Sequence, residues 1–310
     1  LARYILRRLA TMLAALWLII TLTFTIMHIA PGGPFASEKK LPPAILDNIN
    51  ARYHFNDPLW KQYTDYLGNL LQGDLGPSFK YENRTVNGII KDGFPVSATL
   101  GCLAISLAIL VGLPAGIISA LRRNRWPDYL SMFLANLGFS VPGFILAGLL
   151  MYVLAYRLDL LPPAMWGTPR QAVMPALALS ALPMAFLARL MRSSMLEVLG
   201  QDYMRTARAK GLSERLAVWR HAVRNAITPV ISYLGTLVAT IFTGSFVVEN
   251  IFAIPGLGRY YVASIGDRDY TVILGVTIFY AAFLMLMNFL VDLAYMFIDP
   301  RVRLVDRKEV

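Results

Sequence analysis

The chain has 310 residues and a formal net charge of +10, with 56% hydrophobic and 15% charged residues. Soluble domains carry about 25% charged residues and alternate apolar with polar positions, whereas this sequence has long apolar runs, which excludes an ordinary soluble enzyme or a basic nucleic-acid-binding domain. Its lone cysteine, Cys102, excludes a disulfide framework or a cysteine metal site within the chain.

A bilayer span needs about 20 apolar residues. Six runs approach or meet that length: 9–30, 96–121, 129–156, 172–188, 226–248 and 270–291. The first follows Arg3, Arg7 and Arg8. It is 22 residues long, beyond a signal-peptide core, and no clean cleavage site follows, so it reads as a retained anchor. Six spans place both termini on one side of the membrane. Segments on that side, including 1–8, 122–128, 189–225 and 299–310, hold 18 of the 29 basic residues, which marks it as cytoplasmic.

The segment 31–94 is too long for a connector and carries seven basic and seven acidic residues. Pro31, Gly32, Gly33 and Pro34 end the first run. Ile45, Ile49 and Tyr53 fall at helical spacing, as do Leu59, Tyr63, Leu67 and Leu70. Asp57 as a cap, with Pro58 at the first helical position, predicts the start of the second helix, and Gly73, Gly76 and Pro77 close it. Two amphipathic helices on the outer face are expected, offering Tyr53, Trp60, Tyr63 and Tyr66 as an aromatic contact surface. A partly ordered surface loop is the alternative.

Glycine and proline punctuate the later runs: Gly112, Pro114 and Gly116; Gly138, Pro142 and Gly143; Pro175 and Pro183. Each reads either as a helix break, tolerated where protein or a water-lined cavity satisfies the backbone, or as close helix packing through small residues. Together they favour a pathway through a bundle of movable helices.

Between the fourth and fifth runs lies a basic, helix-prone stretch, "DYMRTARAKGLSERLAVWRHAVRN". Asp202 is expected as an N-cap, Tyr203 to Lys210 as a two-turn helix, and Gly211 as its left-handed C-terminal residue. A second helix from about Ser213 places Leu212, Leu216, Trp219 and Val223 on one apolar stripe, as an interfacial helix would. The first helix offers lipid little apolar face, and its form suits docking in a cleft of a cytoplasmic partner.

No constellation for catalysis is present. There is no phosphate-cradling G-x-x-x-x-G-K-[ST] loop, no G-x-S-x-G and no H-E-x-x-H. With His28, His54 and His221 scattered, no histidine metal site is expected. Two acids interrupt the runs, Glu249 (beside Asn250) and Asp292. Intramembrane carboxylates demand partners. These positions read as structural or gating polar groups, with a proton relay as the other reading.

The stretch "RTARAKGLSERLAVWRHAVRN" resembles the cytoplasmic-loop signature of permease subunits of binding-protein-dependent ABC importers. That signature has a Glu-Ala-Ala triplet followed by a glycine at fixed distance. Here Arg205-Thr206-Ala207 precedes Gly211, and Arg224 stands where many members have proline. "APGGPF", "LPPAILDNINARYHFNDP", "GDLGPSFKY", "RSSMLEVLGQDY", "IFAIPGLGR" and "DLAYMFIDPRVR" are similar to the B-type permease of oligopeptide importers, with the dipeptide branch close beside it.

The resemblance implies an all-α membrane protein with six transmembrane helices, the type I importer fold. Its parts would be 1–30 (cytoplasmic N-terminus and first helix), 31–94 (periplasmic insertion), 95–298 (permease core with the loop 193–225) and 299–310 (cytoplasmic tail). It implies a bacterial inner-membrane location and a second, homologous permease subunit. Two ATP-binding subunits would hold the ATP and Mg, and a periplasmic or lipid-anchored peptide-binding protein would deliver the substrate. The chain itself would be no enzyme and hold no cofactor. Arg205, Thr206, Ala207, Arg208, Ala209, Lys210, Gly211 and Leu212 would form the coupling helix and its turn. The cargo would be oligopeptides; dipeptides, modified peptides, glutathione or a metal chelate are alternatives on the same fold, and a proton-coupled secondary transporter is the alternative class.

Overall fold

The computed structural model describes residues 2–29 and 56–298. In chain order its helices are α1 (Ala2–Ile29), α2 (Leu59–Leu71), α3 (Val86–Leu121), α4 (Trp126–Ser140), α5 (Gly143–Leu150), α6 (Pro169–Leu199), α7 (Asp202–Ala209), α8 (Glu214–Ala217), α9 (Arg224–Ala226), α10 (Thr228–Gly244), α11 (Phe246–Ile251), α12 (Leu257–Asp267) and α13 (Tyr270–Ile298). π-Helical segments, Met151–Arg157 and Val218–Val223, follow α5 and α8. Among the described residues there is no strand, only an antiparallel bridge between Pro77 and Thr85. The predicted helix around Ile45, Ile49 and Tyr53 and the tail 299–310 lie outside them.

The chain divides into two compact units, residues 1–96 with 255–285 and residues 97–254 with 286–310. In the first, Phe24 and Met27 of α1 and Tyr270 and Leu274 of α13 form a core, against which Tyr63 and Tyr66 of α2 pack. The Thr21 and Tyr63 hydroxyls share a hydrogen bond of 2.6 Å, and Tyr63 meets the Phe24 ring edge-on. α2 starts one residue later than the sequence suggests. Pro58 is its N-cap rather than its first helical residue, and the Asp57 carboxylate pairs instead with Lys61 at 2.8 Å. Beyond α2 the chain turns through Gly73 and Gly76, both at positive φ. Asp269, 1% exposed, ties this loop to the start of α13: it accepts from the Ser78 hydroxyl at 2.5 Å and from the Val272 N–H at 3.3 Å.

The second unit is built around α6. Thr168 and Gln171 form a capping box at its start, and Pro169 occupies the first turn. α6 then runs 31 residues, straight through Pro175 and Pro183. The predicted interruptions there are therefore absent, and the short run 172–188 is the middle of a longer helix. A proline removes one N–H and bends a helix without ending it where neighbours pack around it. α3 likewise continues through Gly112, Pro114 and Gly116. Its glycines serve close approach: a Cβ on Gly112 would lie 2.8 Å from the Met184 carbonyl oxygen, and one on Gly116 2.5 Å from that of Ala188. Gly138 of α4 faces the Ala181 carbonyl in the same way, at 3.0 Å. Only the predicted break at Pro142 is realised. There Val141 and Pro142 are extended, and the chain bends by 107° between α4 and α5.

Among the described residues, α1, α3, α6 and α13 are long and apolar enough to cross a membrane, and a fifth span results if α4 and α5 form one bent crossing. The predicted run 226–248 resolves into α10, of 17 residues, and α11, parted at Ser245. The core of this unit is rich in alanine and methionine, with Ala104, Ala108, Leu187, Met191, Met195 and Ala222 all fully buried. Lipid tails are as apolar as leucine, so such helices associate through van der Waals contact, which small residues bring close.

Overpacking a close contact costs about 1–3 kcal/mol. Gly116→Ala is therefore expected to lower the stability of the purified protein by about that amount in a denaturing-detergent titration. Gly148→Ala, where a Cβ meets nothing within 4 Å, is expected to leave it unchanged.

Candidate functional site

The basic stretch after α6 folds into the short helix α7 and a sharp turn. Gln201, extended at φ −73° and ψ 150°, takes the N-cap position, and its side chain makes no capping bond. Asp202 is thus the first helical residue rather than the predicted cap. Its carboxylate, in the first turn, suits the positive end of the helix dipole, as Arg208 suits the negative end. At the other end the prediction holds: Lys210 closes the helix and Gly211 adopts φ +82°. The Gly211 N–H donates to the Arg208 carbonyl at 2.9 Å, and the Leu212 N–H to that of Ala207 at 3.3 Å. A Cβ at Gly211 would meet nothing within 4 Å, so backbone conformation alone favours glycine there.

Three contacts hold α7. Met204 is fully buried in the apolar cluster that contains Met191, Met195, Ala217 and Val218. The Asn225 amide donates to the Tyr203 hydroxyl at 2.9 Å. Across the turn, Arg208 grips Glu214 with two parallel bonds, Nε to Oε2 at 2.9 Å and Nη2 to Oε1 at 2.8 Å. This fork holds the Glu214 carboxyl below the usual carboxylate range and raises the Arg208 guanidinium in turn. The pair is largely exposed, so it contributes geometry more than stability.

The outward surface is formed by Arg205, Thr206, Arg208, Ala209, Lys210 and Gly211, all exposed, while Ala207 and Leu212 are half-buried. Arg205 lies 3.6 Å from Asp202. The arrangement activates no nucleophile and presents no general base. It offers a rigid, positively charged knob, fastened at its base and free at its tip.

Beyond the turn the helix carries the predicted apolar stripe on its outer side and a second apolar face inward. Leu216 and Trp219 are exposed, and the buried face is Ala217, Val218, Ala222, Ala226 and Val230. The π-helical segment Val218–Val223 takes more residues per turn than an α-helix.

Of the intramembrane candidates, Glu249 on α11 is fully buried and accepts a hydrogen bond from the Ser245 hydroxyl one turn earlier. Asn250 beside it is exposed. Asp292 lies on α13, with its side chain outside the described residues. Of the aromatic candidates, Trp60 is 69% exposed. Tyr63 and Tyr66 turn inward, and Tyr53 lies outside the described residues. Of the three described, Trp60 alone is prominently exposed, and it lines one cavity with Tyr63. Among the described residues no group of three His, Cys, Asp or Glu side chains could hold a metal ion.

Sequence reasoning missed two buried carboxylates, Asp128 and Asp269. Both stand at the start of an apolar helix, Asp128 in the first turn behind Pro127 and Asp269 directly before Tyr270. That helix-start pattern was the available signal. Their distant partners, Arg192 and Ser78, leave no local trace.

Residues 112–304 match the family described as binding-protein-dependent transport system inner membrane component, and residues 1–101 match the N-terminal region of such membrane components. The chain is 52% identical over 303 residues to the dipeptide transport system permease protein DppB of Bacillus subtilis, covering 98% of each. It is 45% identical over 304 residues to the oligopeptide transport system permease protein OppB of Salmonella typhimurium, covering 97% of this chain and 99% of that one. In fold it is similar to a solved structure of the MetNI methionine ABC transporter in an inward-facing conformation (TM-score 0.58, 18% identity, 68% of this chain and 96% of that one). It is similar also to a crystal structure of an amino acid ABC transporter with histidines (TM-score 0.55, 17% identity, 67% and 92%). An all-helical, multi-pass architecture, a fastened basic loop helix and near-full-length likeness to curated permeases lead to one assignment: the chain belongs to the binding-protein-dependent transport system inner membrane components, the permease subunits of ABC importers.

Proposed function

We propose that this chain is one of two homologous permease subunits of an ATP-driven importer that carries short peptides into the cytoplasm. The observation that carries the reading is α7: a two-turn basic helix held near its start by Tyr203 and Met204 and in its last turn by Arg208, with Arg205, Thr206, Ala209 and Lys210 exposed. A helix held this way transmits a push instead of absorbing it. Two ATP-binding subunits receive α7 and its counterpart, and supply the ATP and Mg. Their closure displaces the helix and biases the bundle between an outward-open and an inward-open state. Relatives named for dipeptides and for oligopeptides support peptide cargo, delivered by a separate binding protein.

In this reading the chain crosses the inner membrane six times, through α1, α3, the bent pair α4–α5, α6, α10 with α11, and α13. Both termini and α7 are cytoplasmic. Residues 31–94 form a periplasmic insertion that meets the binding protein, a reading supported by the exposure of Trp60. Residues 95–298 form the permease core.

Reconstituted with its partner subunits and a loaded binding protein, the complex is expected to take up labelled peptide only when ATP is supplied. Uptake driven by a proton gradient without ATP would replace this reading with a secondary transporter. In the same vesicles Gly211→Val, whose left-handed backbone costs a β-branched residue about 1–2 kcal/mol, is expected to hydrolyse ATP with little uptake, and Gly211→Asn to stay near the parent. Parental uptake and hydrolysis in Gly211→Val would remove α7 from the coupling path.

Topology has a separate check. Ser78 is buried, so Glu82, which is exposed, is the better reporter for the outer segment. In a Cys102→Ala background, cysteines at positions 82 and 213 are expected to react with an impermeant maleimide from opposite faces. Reaction of both from one face contradicts the six-span arrangement.

A further inference from the structure

Where α3 turns into α4, both helices are bound to α6 through one carboxylate. Asp128, 2% exposed, accepts Arg192 Nε at 2.7 Å and Nη2 at 2.8 Å, the Ser119 hydroxyl, and the Asn124 N–H at 2.9 Å. Those donors come from α6, from α3 and from the turn between α3 and α4, where Asn124 adopts φ +60°. A two-pronged guanidinium–carboxylate bond resists rotation as well as separation. Arg192 is a quarter exposed, but parting the pair would leave the buried Asp128 carboxylate without its guanidinium, so this joint yields less readily than apolar packing.

Its place on α6 gives the joint a mechanical meaning. Arg192 follows Met191 and precedes Met195, and both methionines belong to the apolar cluster that seats Met204 of α7. One stretch of α6 therefore carries the socket of α7 and the fork that grips Asp128. Gly112 and Gly116 press α3 against the same helix, at Met184 and Ala188. From Asp128, α4 leads to the 107° bend at Val141 and Pro142, where both residues leave the helical backbone conformation.

We infer that Asp128 and Arg192 are a positioning pair for transport. They make the α3–α4 turn travel with α6 when α7 is displaced, so that the movement reaches the α4–α5 bend and is not lost in the turn 122–125. This rests on the coupling role proposed for α7. Without the pair, ATP hydrolysis continues, because α7 keeps its own three attachments, but fewer peptides cross per ATP.

The test compares uptake and hydrolysis in vesicles holding the complete complex, with assembly followed by size-exclusion chromatography. Arg192→Lys keeps the charge and loses the fork. It is expected to assemble, to retain binding-protein-stimulated hydrolysis within about twofold, and to lower peptide moved per ATP by about fivefold or more. Gly148→Ala, where an added Cβ meets nothing within 4 Å, is expected to stay near the parental ratio. A parental ratio in Arg192→Lys, or uptake and hydrolysis that fall together at constant ratio, overturns the inference and leaves the pair a static brace. Should Arg192→Lys fail to assemble, Asp128→Asn, which keeps the side-chain shape, carries the same expectation and the same overturning result. A parental complex that moves no peptide overturns the importer reading, and this inference with it.

Discussion

Backbone contact along α6 is the constraint on which the larger unit depends. Gly112, Gly116 and Gly138 present no side chain where they face the carbonyls of Met184, Ala188 and Ala181, so α3 and α4 approach α6 more closely than leucine or valine would allow. Between helices surrounded by lipid there is little hydrophobic gain from burying apolar surface, and dispersion at short range takes its place. The contact also explains why Pro175 and Pro183 do not end α6. A helix enclosed on several sides continues past a proline that would break an isolated one.

Given that scaffold, the loop helix α7 needs few attachments of its own. One methionine reaches the core, one tyrosine meets Asn225, and one arginine bridges the turn to Glu214. The rest of its surface stays in contact with solvent. The division is physical: residues that hold the helix lie at its base or its end, and residues that another protein could touch lie at its tip. A longer amphipathic helix would have spread its apolar face along the bundle and left less of itself exposed.

The buried carboxylates follow a common rule. Asp128, Asp269 and Glu249 are each nearly inaccessible, and each accepts a hydrogen bond from a serine hydroxyl. Asp128 adds a guanidinium, and Asp269 adds backbone donors at the start of α13. Burying an ionised carboxylate is costly unless its lone pairs are satisfied. All three lie at helix ends or short helices, where unpaired backbone N–H groups and turns supply donors that a mid-helix position lacks.

Signals confined to a few neighbouring residues were legible in the sequence. The apolar lengths of α1, α3 and α13 depend on contiguous runs, and the left-handed turn at Gly211, the break at Pro142 and the two-turn length of α7 on residues within one or two turns of each other; all are present. Positions whose meaning depends on a distant partner were not legible. Gly116 reads equally as a break or a contact until Ala188 is opposite it, and the inward face Ala217, Val218 and Ala222 is singled out only by the cluster it packs into. Sequence alone thus determined that the chain is a helical membrane protein with a short basic loop helix closed by a left-handed glycine, because hydropathy and backbone preference act locally. Tertiary structure decided which glycines touch, which tyrosines turn inward and that Asp128 meets Arg192 64 residues away, because packing chooses partners by proximity in space.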